Sequence, residues 1–406
     1  MPNYLAPDVY VEEVPGAARP IQAVGTSTAG FVGVAPNDTA RVNEAVGISN
    51  WAQFTREFVR DADQSTPLSH AVFGFFQNGG TRCYVVNVGS NGVLSGGGQE
   101  RRGLDVLDSI DEVAILAAPG YTDPVSYEAL LTKCETLEDR VAVVDGPARA
   151  TTNELTRVAT VEAPTESEEE EGSEGGRQRD QEQGLRPRPS AYGAVYYPHI
   201  TIRDPLSPNS LVNVAPSGHI AGIWARTDAT RGVHKAPANE IIRGALNVTH
   251  QLTRSEQAEL NPNGINCIRL FTREGIRVWG ARTLAEASSE WRYLSVRRLF
   301  NMIKESIAQS TRWIVFEPND YTLWKSIRRD VAAFLTGLWR DGALMGRTPE
   351  EAFFVKCDEE TNPPDVIDAG RVVTLIGIAP VKPAEFIIFR LSQHRGGAEV
   401  ESERGA

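Results

Sequence analysis

At 406 residues, the chain has room for two or three domains of ordinary size and at least one large core. Its 41% hydrophobic and 23% charged content excludes a wholly disordered chain or a low-complexity fibre. The longest apolar runs, such as residues 113–119, fall far short of the ~20 residues of a membrane helix, and a formal charge of −12 argues against nucleic acid as the main partner.

The opening residues carry Asp8, Glu12 and Glu13 and no basic or apolar leader, which predicts a chain made in the cytoplasm without a secretory signal. Pro2, Pro7, Pro15 and Pro20, with Gly16, Gly25 and Gly30, describe an arm rather than the start of a compact domain. Within it, residues 8–14 form one short β-like run around Val9, Tyr10, Val11 and Glu12 with no hairpin partner nearby. The linker that follows can stretch about 50 Å at ~3.3 Å per residue, so this orphan strand has to find a distant sheet edge.

From residue 31 to 145 apolar strands alternate with helices, which predicts an α/β layer. Strands are expected at 31–35, 83–88, 113–118 and 141–145. Helices are expected at 50–60, capped by Ser49, at 66–78, stopped by Gly79 and Gly80, and at 126–139. Residues 162–190 break the order. Nine acidic residues lie between Glu162 and Glu182, too polar to offset their ordering entropy, and a solvated loop on the outer surface is expected. A strand returns near residues 192–198.

The C-terminal part reads as two long amphipathic helices with strands around them. One helix, 289–309, places Tyr293, Val296, Phe300, Ile303 and Ile307 on one face. The other carries Leu323, Ile327, Val331, Phe334 and Leu338. Strands are expected at 312–317, 353–356, 371–379 and 385–391, the last holding Phe386, Ile387, Ile388, Phe389 and Arg390. No sustained repeat appears. The stretch 265–345 holds 13 Lys+Arg, 8 Asp+Glu and five of the seven tryptophans, so it is locally basic inside an acidic protein.

Searching for chemistry returns little. No GxxxxGK[ST] loop and no strand-to-helix GxGxxG are present. The four cysteines have no ligand spacing and read as free core thiols. The six histidines form no HExxH and no close pair, so no metal or cofactor is expected. A hydrolase or phosphate site can be drawn around His219 and His234, but it lacks a GxSxG elbow, and a structured loop or subunit contact is the simpler reading. Lys325, Arg328 and Arg329 share one helix face at i, i+3 and i+4. They read either as a solvated face or as a cationic ridge for an acidic protein partner.

Four stretches settle the class by resemblance. They are Phe75-Phe-Gln-Asn-Gly-Gly-Thr-Arg-Cys-Tyr-Val-Val86, and Gly218-His-Ile-Ala-Gly-Ile-Trp-Ala-Arg-Thr-Asp228 with Arg231-Gly-Val-His-Lys-Ala-Pro-Ala-Asn239. Then come Gly264-Ile-Asn-Cys-Ile-Arg269 with Gly275-Ile-Arg-Val-Trp-Gly-Ala-Arg-Thr283, and Ile376-Gly-Ile-Ala-Pro-Val-Lys-Pro-Ala-Glu-Phe386. With Phe316-Glu-Pro-Asn-Asp320 and Phe353-Phe-Val-Lys-Cys357, they resemble, in collinear order, the tail sheath proteins of contractile phages and related injection systems. Only the acidic block at 162–190 matches nothing in the family pattern.

The resemblance implies a structural, non-enzymatic subunit of mixed α/β (α+β) fold. It implies an N-terminal arm and linker at 1–30, an outer α/β domain at 31–230, a C-terminal core domain at 231–395 and a polar tail at 396–406. It also implies homo-oligomeric stacked hexameric rings around an inner tube, with baseplate and terminal cap proteins as further partners, and neither nucleic acid nor membrane insertion. Strands at Val9–Glu12 and Phe386–Arg390 would complete sheets in neighbouring subunits, with Pro15, Gly16, Pro20 and Gly25 as hinge. Placing the C-terminal domain nearest the tube makes Lys325, Arg328 and Arg329, then Arg340 and Arg347, the expected tube-facing cations. A non-contractile baseplate or adaptor component is the alternative, ahead of an enzyme using His219 and His234.

Overall fold

The protein is described by a computed structural model covering residues 20–90, 92–96, 100–160 and 184–389. The strand expected at 8–14, with Pro15 and Gly16, lies outside the described residues. So do most of the acidic block, Arg390 and the tail.

Fourteen strands are described. In chain order β1 is Ala29–Gly33, β2 Ala45–Ile48, β3 Cys83–Asn87, β4 Ile115–Ala117, β5 Val141–Asp145, β6 Gly193–Tyr197 and β7 Ile200–Arg203. Then come β8 Leu211–Val214, β9 Glu240–Ile241, β10 Asn247–Val248, β11 Ile265–Phe271, β12 Gly275–Trp279, β13 Phe353–Lys356 and β14 Leu375–Ile378. The principal helices are α1 Trp51–Phe58, α2 Pro67–Gln77, α3 Pro124–Leu137, α4 Thr152–Thr156, α5 Ser217–Arg231, α6 Arg254–Leu260, α7 Leu294–Ser310 and α8 Tyr321–Arg340.

Nine strands form one sheet in the order β2-β3-β1-β4-β5-β6-β11-β12-β9. Its middle is parallel from β3 through β11, and at the flanks β2, β12 and β9 each pair antiparallel with the strand on their inner side. Strands covered on both faces lose the polar alternation and read as continuous apolar runs, as in the wholly buried Val-Ala-Val-Val of β5. Val141 and Val143 face one layer with Phe31, Phe75 and Trp224. Ala142 and Val144 face the other with Tyr127, Leu130 and Cys134 of α3. On the first face α2 and α5 pack backbone to backbone. A Cβ at Gly218 would sit 2.2 Å from the Ala71 backbone, and one at Gly222 2.4 Å from the Phe75 carbonyl. All four cysteines are buried and unpaired, as free core thiols should be.

The boundary expected at 230/231 does not divide the sheet. Gly232 ends α5 at φ +86, and the chain then returns to add β9, β11 and β12, Ile265 pairing in register with Val195. The sequence suggests a boundary here because these strands find partners far back in the chain. The second layer begins only at α7. There Leu299, Met302 and Ile303 pack on Leu323, Ile327, Val331 and Leu335 of α8, with Ile21 joining from the N-terminal side.

Several local expectations shift. Asn50, not Ser49, caps α1, its side chain accepting from the Gln53 N–H at 2.8 Å. The strand expected at 312–317 is a 3₁₀ turn, Arg312–Ile314, followed by a loop in which Phe316 is fully exposed at φ +72. Its apolar alternation meets no sheet edge in this subunit. The last expected strand, 385–391, has no strand pairing over residues 385–389. The single apolar face expected on α7 is also incomplete, because every residue from Leu294 to Leu299 is buried. The first half of this helix lies between the two layers and takes contacts all round, while Lys304 and Ala308 further along are exposed.

That position forces two arginines inside. Arg298 makes a bidentate pair with Asp228 of α5 at 2.9 and 2.5 Å, donates to the Thr26 carbonyl at 3.0 Å and lies 4.7 Å over Trp224. Arg297 is held between Tyr192 and Trp291. A buried pair that loses one partner leaves an uncompensated charge and costs about 3–5 kcal/mol. Arg298→Met should therefore lower subunit stability by about that amount. The double variant Asp228→Leu/Arg298→Met should recover most of the loss in chemical denaturation.

Candidate assembly surfaces

The two histidines of the imagined hydrolase site do not meet. His219 lies inside α5 with its ring against Gly74 of α2, where an added Cβ would come 2.3 Å from Nδ1. It is fully buried, and neither ring nitrogen has a partner. Burial, aided by repulsion from His70, pushes its pKa down to about 3, which keeps the ring neutral. His234 instead lines a cleft with Arg231, Val233, Leu299, Met302, Leu338 and Asp341. Ser217, the one hydroxyl near His219 in sequence, donates to buried Asp145 at 2.7 Å, and its N–H does so at 2.8 Å. This carboxylate, raised by burial, ties the start of α5 to the end of β5. Among the described residues no group of three His, Cys, Asp or Glu could hold a metal ion.

The expected cations are only partly brought together. Lys325, Arg328 and Arg329 lie on α8 away from its buried stripe, with Lys325 and Arg329 exposed and Arg328 half-buried. Arg329 pairs with Asp330 at 2.9 Å. Arg340 is exposed at the end of the helix, about 18 Å from Arg328 at 1.5 Å per residue. Arg347 lies in the following loop, its backbone N–H on Glu351. Lys325, Arg328, Arg340 and Arg347 have no ion pair among the described residues.

Both chain ends are pinned at their roots. The Gln22 and Val24 N–H groups donate to Ser310 and Ser306 of α7 at 3.2 and 3.0 Å, and Thr26 donates to Asp228 at 2.6 Å. Pro20 and Gly25, expected at the hinge, thus belong to a segment laid along α7. At the other end Phe386, Ile387, Ile388 and Phe389 are 74–84% exposed, while Glu385 just before them is bound by Arg282. Sequence reasoning missed Arg282, Arg298 and Asp228. Asp228 and Arg282 left only the trace of membership in runs that resemble a known family, and Arg298 left none.

Between these ends lies a two-stranded antiparallel sheet, β13 with β14, registered from Phe353↔Ile378 to Lys356↔Leu375. Neither outer edge has a strand partner among the described residues. Phe354 and Leu375 are more than half exposed. One face of this sheet is covered, since Phe353, Val355 and Ile378 pack on the α7–α8 core, while open edges beside apolar side chains are templates for added strands.

The comparisons agree with that geometry. Residues 104–284 match the phage tail sheath protein central domain, and 286–394 match the phage tail sheath C-terminal domain. The chain belongs to the tail sheath protein family. Over 174 residues it is 32% identical to the tail sheath protein of Vibrio phage KVP40, a match covering 42% of this chain and 25% of that protein. With the tail sheath protein of Salmonella phage ViI it is 33% identical over 167 residues, covering 40% and 25%. The chain thus spans about a quarter of the length of these curated relatives. Solved structures match along nearly the whole chain. A chain of the six-fold symmetrised anti-feeding prophage baseplate shares 30% identity at TM-score 0.72, covering 97% of this chain and 100% of that one. A chain of the contracted PVC sheath complex of an extracellular contractile injection system shares 28% identity at TM-score 0.73, covering 97% and 99%. The family is a structural one.

His219 gives this subunit a defined acid response. Its folded pKa lies below the ordinary 6.5, so below that pH the unfolded chain takes up a proton that the folded one refuses. The contribution is intact above pH 6.5 and is lost as pH falls toward about 3, at up to about 1.4 kcal/mol per pH unit. His219→Leu should flatten that part of the stability profile, measured by urea unfolding at pH 7 and pH 4.5.

Proposed function

We propose that the chain is the contractile sheath subunit of a phage tail-like particle. It stacks as six-membered rings around an inner tube and contracts to drive that tube through a target envelope. The observation that carries this reading is the coexistence, in one subunit, of an exposed apolar segment at Phe386–Phe389 and a two-stranded sheet whose edges have no strand partner among the described residues. In the array, the strand around Val9, Tyr10, Val11 and Glu12 and the strand from Phe386 to Arg390 add to β13–β14 of neighbours, which is β-augmentation. Main-chain pairing then ties subunits together while their bodies rotate. Contraction needs two packings of the same subunit separated by a barrier. The free energy is stored when the extended array assembles, so the chain needs no nucleotide of its own.

The particle is assembled in the cytoplasm, with baseplate and cap proteins at its ends. The sheath meets the tube through Lys325, Arg328 and Arg329 on α8, with Arg340 and Arg347 as outlying contributors. Exposed pairs are worth only ~0–1 kcal/mol each, which suits a grip that acts collectively around a ring and lets go on firing.

Negative-stain microscopy of the full chain expressed with its tube and baseplate should reveal hollow cylinders in a long and a short form. Discrete particles without cylinders would overturn the reading. Reversing charge at Arg328 and Arg329 should raise the fraction of extended sheaths that lose their tube, while contracted sheaths still form. Unchanged tube retention across a salt series would remove these residues from the tube contact.

A further inference from the structure

We infer that Arg282 and Glu385 form the fixed root of the C-terminal strand and set the register in which it enters the neighbouring subunit. The inference rests on the strand exchange proposed above and names the residues that position it.

Glu385 is the last residue before the four exposed apolar side chains. Its carboxylate takes the Arg282 Nε at 2.9 and 3.2 Å, and Nη2 as well. Nη1 of the same guanidinium donates to the Asn261 carbonyl at 3.0 Å. Only 7% of the Arg282 side chain and 18% of the Glu385 side chain are exposed. An exposed pair exchanges readily with water, whereas an enclosed, multiply bonded one persists because separating it strands a charge.

Arg282 itself cannot shift. Asn266, fully buried on β11, accepts from the Arg282 N–H at 2.7 Å and donates to its carbonyl at 2.8 Å. The same amide donates to the Val195 carbonyl of β6 at 3.1 Å. The guanidinium therefore takes its position from the middle of the nine-stranded sheet. By contrast, among the described residues 382–389 make no other hydrogen bond. The preceding tie is the Val381 N–H on the Ala343 carbonyl at 3.2 Å.

This arrangement decides where the free strand begins. With the pair intact it begins at Phe386. With the pair broken the root retreats to Val381, adding four residues and about 13 Å of slack. Side chains on a strand alternate between faces, so a one-residue slip exchanges Phe386 and Ile388 for Ile387 and Phe389 on the receiving side. Any pull on the strand passes through Arg282 into the large sheet and bypasses the two-stranded hairpin of the same subunit.

The test uses the full chain co-expressed with its tube and baseplate, reading the fraction of subunits pelleted as sheath and the melting temperature of the unassembled subunit. Glu385→Gln leaves the Arg282 guanidinium enclosed without its partner, so it should lower the subunit melting temperature and also cut assembled sheath at least about tenfold at temperatures well below that melting point. Arg282→Lys, which keeps the charge and loses the fork, should fall between the two. Arg282→Glu/Glu385→Arg should recover assembly relative to either single change. One residue inserted between Glu385 and Phe386 should abolish assembly, and two should restore part of it by restoring the alternation. Normal assembly of Glu385→Gln, or equal behaviour of the two insertions, overturns the inference while cylinders from the unaltered chain leave the sheath reading standing. Assembly by Glu385→Gln that returns to the level of the unaltered chain once the subunit is held well below its melting temperature would assign the pair a folding role alone and likewise overturn it. Failure of the unaltered chain to form cylinders would overturn the sheath reading itself, and this inference with it.

Discussion

The layers of this subunit are held by one buried charge. Arg298 lies in the buried first half of α7, where its guanidinium cannot reach water and has to be neutralised in place. Asp228 does so from the last turns of α5, and Thr26 supplies both a carbonyl to the arginine and a hydroxyl to the aspartate. Positions 70 and 272 residues away in the chain are thereby fixed at one point. An apolar contact would tolerate sliding, because dispersion and burial have no direction. A bidentate pair in a low-dielectric setting does not. The sheet layer, the helical layer and the N-terminal segment therefore behave as one body, which is what a subunit needs if it is to rotate without deforming.

That closed body carries two deliberately unfinished parts, the open hairpin β13–β14 and the exposed run after Glu385. In an isolated chain they are liabilities, since unpaired edges and contiguous apolar side chains invite indiscriminate association. In the proposed array the same features complete one another. The roots on either side of them are rigid, so freedom is confined to the short exchanged segments. The N-terminal root is set by serines of α7 and the C-terminal root by Arg282.

Much of this body was legible from the residues. Continuous apolar runs such as those of β1 and β5 announce strands covered on both faces, and the Thr66 and Asp320 caps fix where α2 and α8 begin. What escaped notice depends on partners remote in sequence. The run at 312–317 has strand-like residues and no edge to join, so it turns instead. The strands at 265–279 look like a new domain until β6 is known to lie beside them. Arg282 and Glu385 are 103 residues apart, and no local pattern distinguishes their charges from those of a solvated surface. The same holds for Asn266, a polar residue in an apolar run whose reason appears only once the Arg282 backbone is seen beside it. The family likeness was readable because long motifs survive in order, yet it said nothing about these pairs.

Burial sorts the charged groups into two mechanical classes. The pairs at Arg298 and Arg282 are shielded from solvent and gain from a low local dielectric, so added salt hardly reaches them. The α8 cations are exposed or half-buried, and a Debye length of about 8 Å at physiological ionic strength screens all but their close contacts. Contraction requires both classes at once, since some contacts must survive the rearrangement while others exchange. Under the proposed tube contact, a ridge enclosed like Arg298 could not let the tube go. If the roots were as exposed as the ridge, the strands would slip before the subunits turned. The fold separates these demands by position, setting the lasting pairs against the sheet and α7 and leaving the exchangeable charges on the outward face of α8.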